Sequence, residues 1–270
     1  MGAIHDGHLS LIKEAKKFCD IVVVSIFVNP TQFGPTEDLD RYPRTLTSDA
    51  ELCTNEGADF IFAPSVSEVY PDKHYLRIQI EDLADTLCGA SRPGHFNGVL
   101  QVVNKLLQIV GPHHAFFGQK DIQQFVLIDT MVREFNIPVA LHAVPTVREP
   151  GGLALSSRNQ YLNAEQRSLA PRLYSSISDI GQLIKSHTEF NDDSNRYTDT
   201  IDSITQAVSD HKKMLTAIGF KIDYLEVVDF KSLQPVKSLS GHDTYIVAIA
   251  AWLGNTRLID NIIIEKRSRS

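Results

Sequence analysis

Cysteine is scarce in this chain: three residues, Cys19, Cys53 and Cys88, stand far apart. That spacing offers neither a disulfide framework nor a metal knuckle. Long apolar runs are absent as well. IVVVSIFV is strand-sized, and nothing approaches the roughly 18–20 apolar residues of a membrane span. The start lacks the charged-then-apolar order of a secretory signal. Positive charge is not in excess, since the net charge of −7 argues against a general nucleic-acid binder. A local basic pocket for a small anion remains open. The chain also lacks a G-x-x-x-x-G-K-S/T loop, a G-x-G-x-x-G fingerprint and a G-x-S-x-G elbow, and no cysteine has a histidine beside it. Covalent catalysis by the protein therefore has little support. What remains is a soluble, cytoplasmic protein of 270 residues, large enough for one big domain or two modest ones.

Segments alternate in type up to about residue 147. HLSLIKEAKKFC carries a helical stripe at Leu9, Ile12, Ala15 and Cys19. IVVVSIFV follows as a β-branched run, read as a strand buried on both faces. LTSDAELCTNEGA reads as a helix ending at Gly57, DFIFAP as a strand and GVLQVVNKLLQIV as a helix. HAFFG, DIQQFVLIDTMVREFN and PVALHAV continue as strand, helix and strand. This rhythm predicts an α/β fold with a doubly wound parallel sheet, whose ligands bind at the carboxyl ends of the strands. Beyond residue 150 the pattern changes. Residues 164–219 read as two helices separated by SHTEFNDDSN, followed by the strands KIDYLEVVDF, YIVAIAAWL and LIDNIIIE. A smaller α+β domain is expected, with the boundary where Pro145, Pro150, Gly151 and Gly152 cluster. The final RSRS reads as a frayed tail.

Several short stretches carry chemistry. With Leu9 taken as the first helical residue, His5 and His8 of HDGH sit at a helix entry, and Gly7 permits close backbone approach. A helix N-terminus attracts phosphate, and imidazoles there can donate to its oxygens. Capping of the helix is the alternative reading; zinc has little support, because no partner cluster of Cys or His appears. In FVNPTQFGPTEDLDRYPR, Asn29, Thr31 and Gln32 follow the first strand at its carboxyl end. Gln32 is an uncharged donor and acceptor enclosed by Phe27, Phe33 and prolines. SRPGHFNGV places Arg92 and His95 just before a helix. FGQKDIQQF places Lys120, Asp121 and Gln124 after Gly118, with Asp121 and Gln124 on one helix face and Gln123 turned to solvent. In SSRN, Ser156, Ser157 and Arg158 offer hydroxyls and a guanidinium suited to polyphosphate. Taken one at a time, each stretch is also compatible with a polar turn. Together they describe a site that works by positioning and electrostatics.

In order, MGAIHDGHLSLI, FVNPTQFGPTEDLDRYPR, SRPGHFNGVLQVVNKLL, FGQKDIQQ, REPGGLALSSRNQYL and NTRLIDNI resemble the pantothenate synthetases, the pantoate–β-alanine ligase family. The resemblance covers nearly the whole chain. It implies a Rossmann-like nucleotide- and pantoate-binding domain over residues 1–148, an α+β lid domain over 149–270 and a homodimer. It implies condensation of pantoate with β-alanine through a pantoyl adenylate, using ATP and magnesium and releasing AMP and pyrophosphate. By the same resemblance His5, His8, Lys120 and Arg158 are the catalytic group. Gln32, Gln124, Asn29, Tyr42, Arg92, His95 and Met1 lie on the pantoate and β-alanine side. Met1, His5, Gly7, His8, Gly118, Lys120, Asp121, Val147, Leu155, Ser156, Ser157 and Arg158 meet ATP, and Asp121 is the candidate magnesium ligand.

The chain departs from the family pattern in three places. Members have a strand and a Pro-Thr pair before the Met-Gly of the first motif, so the first strand of the sheet is expected to be missing here. Gly151 replaces an acidic residue, and Leu155 replaces methionine, a change that conserves volume. Two rival expectations follow: an impaired nucleotide-binding homologue, or a nucleotidyltransferase with no ligation step. The paired glutamines and SSRN favour ligation over the latter.

Overall fold

The computed structural model describes residues 2–34, 39–73, 75–190, 196–239 and 243–266. Met1 and the RSRS tail lie outside the described residues. The chain divides into two compact units: Met1–Val147 with Leu155–Ser157, and Arg148–Ala154 with Arg158–Ser270.

The first unit runs α1 (Asp6–Ala15), β1 (Val23–Ser25), α2 (Leu46–Asn55), β2 (Phe60–Phe62), the short α3 (Val66–Val69) and α4 (Leu87–Ser91), α5 (His95–Val110), β3 (His114–Gly118), α6 (Ile122–Glu134) and β4 (Ala140–Val144). β1 pairs in parallel with β2, Val23 opposite Phe60, and β3 pairs in parallel with β4, His114 opposite Ala140. The α/β class with parallel sheets is therefore present, and among the described residues it takes the form of two separate two-stranded sheets. The apolar stripe of α1 closes on these strands: Ile12 and Ala15 are buried with Val22, Ile26 and Cys53. One expectation is corrected here. IVVVSIFV is not buried on both faces, because Ile21, Val23 and the Val23 partner Phe60 are 64%, 38% and 62% exposed. Val22 and Ile26 face α1, while Val23 and Phe60 remain exposed.

The second unit runs α7 (Ala164–Leu169), α8 (Arg172–Phe190), α9 (Arg196–Ala217), then β5 (Phe220–Asp229), β6 (Thr244–Leu253) and β7 (Thr256–Glu265) as an antiparallel meander. The core joins Ile177, Ile180 and Ile184 of α8 to Val247 and Ile249 of β6 and Ile264 of β7. Three helices stand where two were expected. Pro171 has no N–H to continue α7, so the chain breaks there and restarts as α8. α8 then runs through SHTEF to Phe190, and residues 191–195 of the expected polar break lie outside the described residues. No helix among the described residues is long and apolar enough to cross a membrane.

Candidate active site

α1 begins at Asp6, three residues ahead of Leu9, because the histidines themselves start it. His5 is the N-cap in extended conformation (φ −141°), and its Nδ1 accepts the Gly7 N–H at 3.1 Å. His8 Nδ1 accepts the His5 N–H at 3.3 Å, completing a capping box in which imidazoles replace the usual hydroxyl and carboxyl. The alternatives of capping and chemistry are thus not exclusive. A ring whose Nδ1 accepts carries its proton on Nε2, so each histidine keeps an Nε2–H donor. The ring centroids are 4.0 Å apart. Both rings are held neutral. Burial pushes His8 down to about 3, helped by His5 and Lys120, and burial with Lys120 also lowers His5. Gly7 is required sterically, since a Cβ there would stand 2.9 Å from His5 Cε1.

The turn after β3 brings a cation to the same place. Gly118 ends the strand with open space around it, and Lys120 lies in the following turn, Gln119–Asp121. Lys120 Nζ donates to the Leu155 carbonyl at 3.0 Å, and the Leu155 N–H donates to the Val147 carbonyl at 3.0 Å. A Cβ on Gly7 would lie 3.7 Å from Leu155 Cβ. The structure therefore gathers His5, Gly7, His8, Lys120, Val147 and Leu155, with Ser156 and Ser157 half-buried next in the chain. Asp121 is exposed, and its charge opposes the lowering of His5. It is the N-cap position of α6, and Gln124 is the third residue of that helix. Arg158 is half-buried in the second unit, and Met1 lies outside the described residues.

A second cluster forms around the turn Pro30–Gln32 after β1. Arg92 Nη1 donates to His95 Nε2 at 2.9 Å, because a guanidinium can only donate. His95 therefore carries its proton on Nδ1 and donates it to the Gln32 carbonyl at 2.7 Å. These two residues hold the Gln32 backbone in place. His95 is the first residue of α5, with Gly94 (φ +80°) as N-cap, rather than a residue ahead of the helix. α5 approaches the turn so closely that a Cβ on Gly98 would stand 2.2 Å from the Thr31 carbonyl oxygen. Gln32 and Gln124 are half-buried, and Tyr42 sets its ring edge-on to Phe33 at 5.9 Å.

Two expectations change. Asn29 is 2% exposed, and its amide is fully engaged. Nδ2 donates to the Gly98 carbonyl at 3.0 Å and to Gln32 Oε1 at 3.5 Å, while Oδ1 accepts from Tyr70 Oη and Thr31 Oγ1, each at 2.9 Å. With no group left for substrate, Asn29 builds the turn and orients Gln32. Gln123 does not face solvent: it is 5% exposed, donates to the Leu83 and Thr86 carbonyls and accepts the Cys88 N–H. Tyr70, Gly98 and Asp49 were not singled out in the sequence. Asp49 is buried on α2 and accepts the Ala3 and Ile4 N–H groups at 2.9 and 2.8 Å. Its signal was available as an acid four residues before buried Cys53, on the apolar side of a helix.

Among the described residues no group of three or more His, Cys, Asp or Glu side chains could hold a metal ion. Comparison with known proteins adds the following. The family profile described as pantoate-beta-alanine ligase matches residues 1–263. Among curated relatives, the pantothenate synthetase of Thermosipho africanus is 48% identical over 264 residues, 98% of this chain and 90% of its own. That of Moorella thermoacetica is 45% identical over 265 residues, covering 98% and 89%. A crystal structure of the Thermus thermophilus enzyme superposes with a TM-score of 0.86 at 40% identity, covering 97% of this chain and 90% of that one. The Francisella tularensis pantoate-beta-alanine ligase, complexed with beta-gamma ATP and beta-alanine, gives 0.75 at 36% identity, covering 100% and 88%.

Proposed function

The chain belongs to the pantoate–β-alanine ligase family, and from that premise we propose how its own residues form pantothenate from pantoate, β-alanine and ATP. In the first step a pantoate carboxylate oxygen attacks the α-phosphorus of ATP, and the bond to pyrophosphate breaks. In the second, the β-alanine amine attacks the acyl carbon of the pantoyl adenylate, loses a proton and expels AMP. Neither step needs a protein nucleophile.

One observation carries the assignment of roles: two neutral imidazoles beside Lys120 at a helix N-terminus, each with Nδ1 accepting from the backbone and its proton therefore on Nε2. Phosphoryl oxygens that gain charge in the transition state are met by directional donors, one fixed cation and the helix end. In this reading Gly7, Gly118, Asp121, Val147 and Leu155 border the nucleotide; Met1, assigned there by the resemblance, lies outside the described residues. Ser156, Ser157 and Arg158 supply hydroxyls and a guanidinium to its phosphates. Gln32 and Gln124 hold pantoate. Asn29 passes its carboxamide donor to Gln32 Oε1, which leaves the Gln32 NH₂ to face an acceptor on the substrate. Tyr42 closes over the acyl group, while Arg92 and His95 shape the β-alanine side through the Gln32 backbone.

Magnesium bound with ATP would neutralise phosphate charge. The donor set fits this, since Mg²⁺ typically keeps waters and phosphate oxygens and takes only one or two carboxylates. Asp121, exposed after β3, offers one. A homodimer and a cytoplasmic location complete the proposal; light scattering on the purified chain tests the first. The rival without a ligation step, and the impaired homologue, are not favoured, because relatives at 45–48% identity carry the synthetase name.

The deciding experiment supplies pantoate, ATP and magnesium with and without β-alanine. AMP and pantothenate should appear in equal amounts, and only when both organic substrates are present. With β-alanine present, pyrophosphate or AMP accumulating over many turnovers with no pantothenate would remove the ligation step.

A further inference from the structure

Asp49 is a carboxylate that this scheme does not use, on a helix that carries none of the site motifs. It is 2% exposed, beside Cys53 at 0%. A carboxylate withdrawn from water is costly unless its lone pairs are filled. Both oxygens here are filled: Oδ2 accepts the Ala3 N–H at 2.9 Å, and Oδ1 accepts the Ile4 N–H at 2.8 Å and the Thr45 hydroxyl at 3.1 Å. The two amides are neighbours, immediately ahead of His5. Ala3 stands at φ +53°, a left-handed conformation that a non-glycine residue holds only when its surroundings impose it. Gly2 packs over the clamp, where a Cβ would lie 3.6 Å from Asp49 Oδ2. At the other end, Thr45 is the N-cap residue of α2 and directly follows Tyr42-Pro43-Arg44. Its hydroxyl makes no capping bond and turns to Asp49 instead.

We propose that Asp49 is the positioning residue of the histidine pair: its clamp on Ala3 and Ile4 fixes the backbone that presents His5 and His8, and Thr45 ties the base of the Tyr42 loop to the same carboxylate. The inference rests on the reading of His5 and His8 as the phosphate-facing pair. The His5 N–H reaches His8 Nδ1 only while the peptide ahead of it keeps its orientation, and that peptide follows the clamped Ile4 amide. If the clamp opens, Ala3 relaxes, the His5 N–H leaves His8, and the Nε2–H tautomer of His8 loses its cause. Two adjacent N–H groups need two acceptor oxygens. Asparagine has the same volume but offers one oxygen and turns an NH₂ donor against the other amide. A role in filling space would tolerate that change, and a role as a two-oxygen clamp would not.

The test is Asp49→Asn in the full chain, with active sites counted from the pyrophosphate released in one turnover without β-alanine. At saturating substrates kcat per active site should fall about 10–100-fold, the scale of an ångström-sized misplacement, with KM for ATP and pantoate within about threefold. Nitrogen-15 imidazole spectra should report His8 with an unprotonated Nδ1 in the parent and a mixture of tautomers in the variant. Thr45→Val, which keeps the carboxylate, should move both readouts the same way by less, about threefold in rate for one lost hydrogen bond. A parent-like rate per active site, or unchanged imidazole spectra, in Asp49→Asn overturns the proposal. If that variant does not fold, an unchanged rate and spectrum in Thr45→Val overturn it instead. Full turnover in His8→Ala would remove the premise. An inactive His8→Ala beside a normal Asp49→Asn removes only this inference.

Discussion

Replacing Gly98 by alanine adds one methyl group at the place where α5 meets the Pro30–Gln32 turn, and it should cost the enzyme its grip on pantoate. The new Cβ would stand 2.2 Å from the Thr31 carbonyl oxygen, 2.6 Å from its carbon and 2.8 Å from the Gln32 nitrogen. All three are backbone atoms, so no side chain can swing aside. Restoring ordinary contact needs a displacement of about 1 Å, and overpacking of this kind costs about 1–3 kcal/mol. α5 is not the partner that yields, because Phe96, Val99, Leu100 and Val102 seat it in the core. The turn moves instead. It carries Gln32 with it and strains both the Asn29 bond to the Gly98 carbonyl and the His95 bond to the Gln32 carbonyl. For a chain of this size each kcal/mol lowers Tm by roughly 2–4 °C, so a drop of several degrees is expected. A misplacement near 1 Å costs on the order of 100-fold in rate. That loss should fall on kcat/KM for pantoate and spare KM for ATP, since the histidine cluster lies on other turns. Steady-state kinetics in each substrate and a thermal melt decide the matter. Pantoate kcat/KM within threefold of the parent together with an unmoved Tm would refute the close-approach argument.

Three further outcomes are expected. Lys120→Ala or His8→Ala should each lower the adenylation rate roughly 100–1000-fold, about 3–4 kcal/mol, the usual loss of one preorganised donor; turnover within threefold of the parent sinks that residue's role. Stability should fall as pH drops below 6.5, because the unfolded chain then protonates both histidines while folded His8 resists to about 3 and folded His5 titrates below 6.5. This contribution is fully present above 6.5 and is lost downward through that window, at up to about 1.4 kcal/mol per pH unit for each group; melts at pH 7 and 5 should differ, and less so in His8→Ala. Gln123→Ala should destabilise by about 1–3 kcal/mol, because it removes the side-chain acceptor of the buried Cys88 N–H and one donor each from the Leu83 and Thr86 carbonyls; a melt within 2 °C of the parent would contradict that accounting.

The readable parts of the chain were those where local pattern and physics coincide. Apolar stripes placed α1, α5 and α6, and alternating segments placed the strands whose carboxyl ends carry Gln32 and Lys120. Periodicity failed where a polar side chain turns inward. Gln123 and Gln124 are neighbours of one residue type, and only packing against residues 83–88 decides that Gln123 is the buried one. Asp49 shares the apolar side of α2 with Cys53, which marks it as inward, but its partners more than forty residues away in the chain are legible only in the fold. IVVVSIFV reads as doubly buried because composition reports preference and not cover, and Val23 and Phe60 are left in the open. Asn29 reads from sequence as a substrate contact, whereas the fold shows its carboxamide bonded to the turn, since a carboxamide beside a site can serve the substrate or the loop with equal ease.

The opening histidines show why the choice between helix entry and chemistry was a false one. An imidazole has two nitrogens on opposite edges, and this site uses them for different tasks. Nδ1 accepts a backbone N–H, which leaves the proton on Nε2. A serine and glutamate in the same box would cap the helix equally well but would set a carboxylate against incoming phosphate. The arrangement works only while both rings are neutral, because a proton on Nδ1 would turn the acceptor into a donor aimed at another N–H. Burial and the Lys120 charge keep that proton off. The same low proton affinity thus holds the helix start together and keeps the donors in register. On the proposed reading the histidines therefore bring direction and not charge, and the positive potential an α-phosphate requires falls to Lys120, Arg158 and the N-terminus of α1.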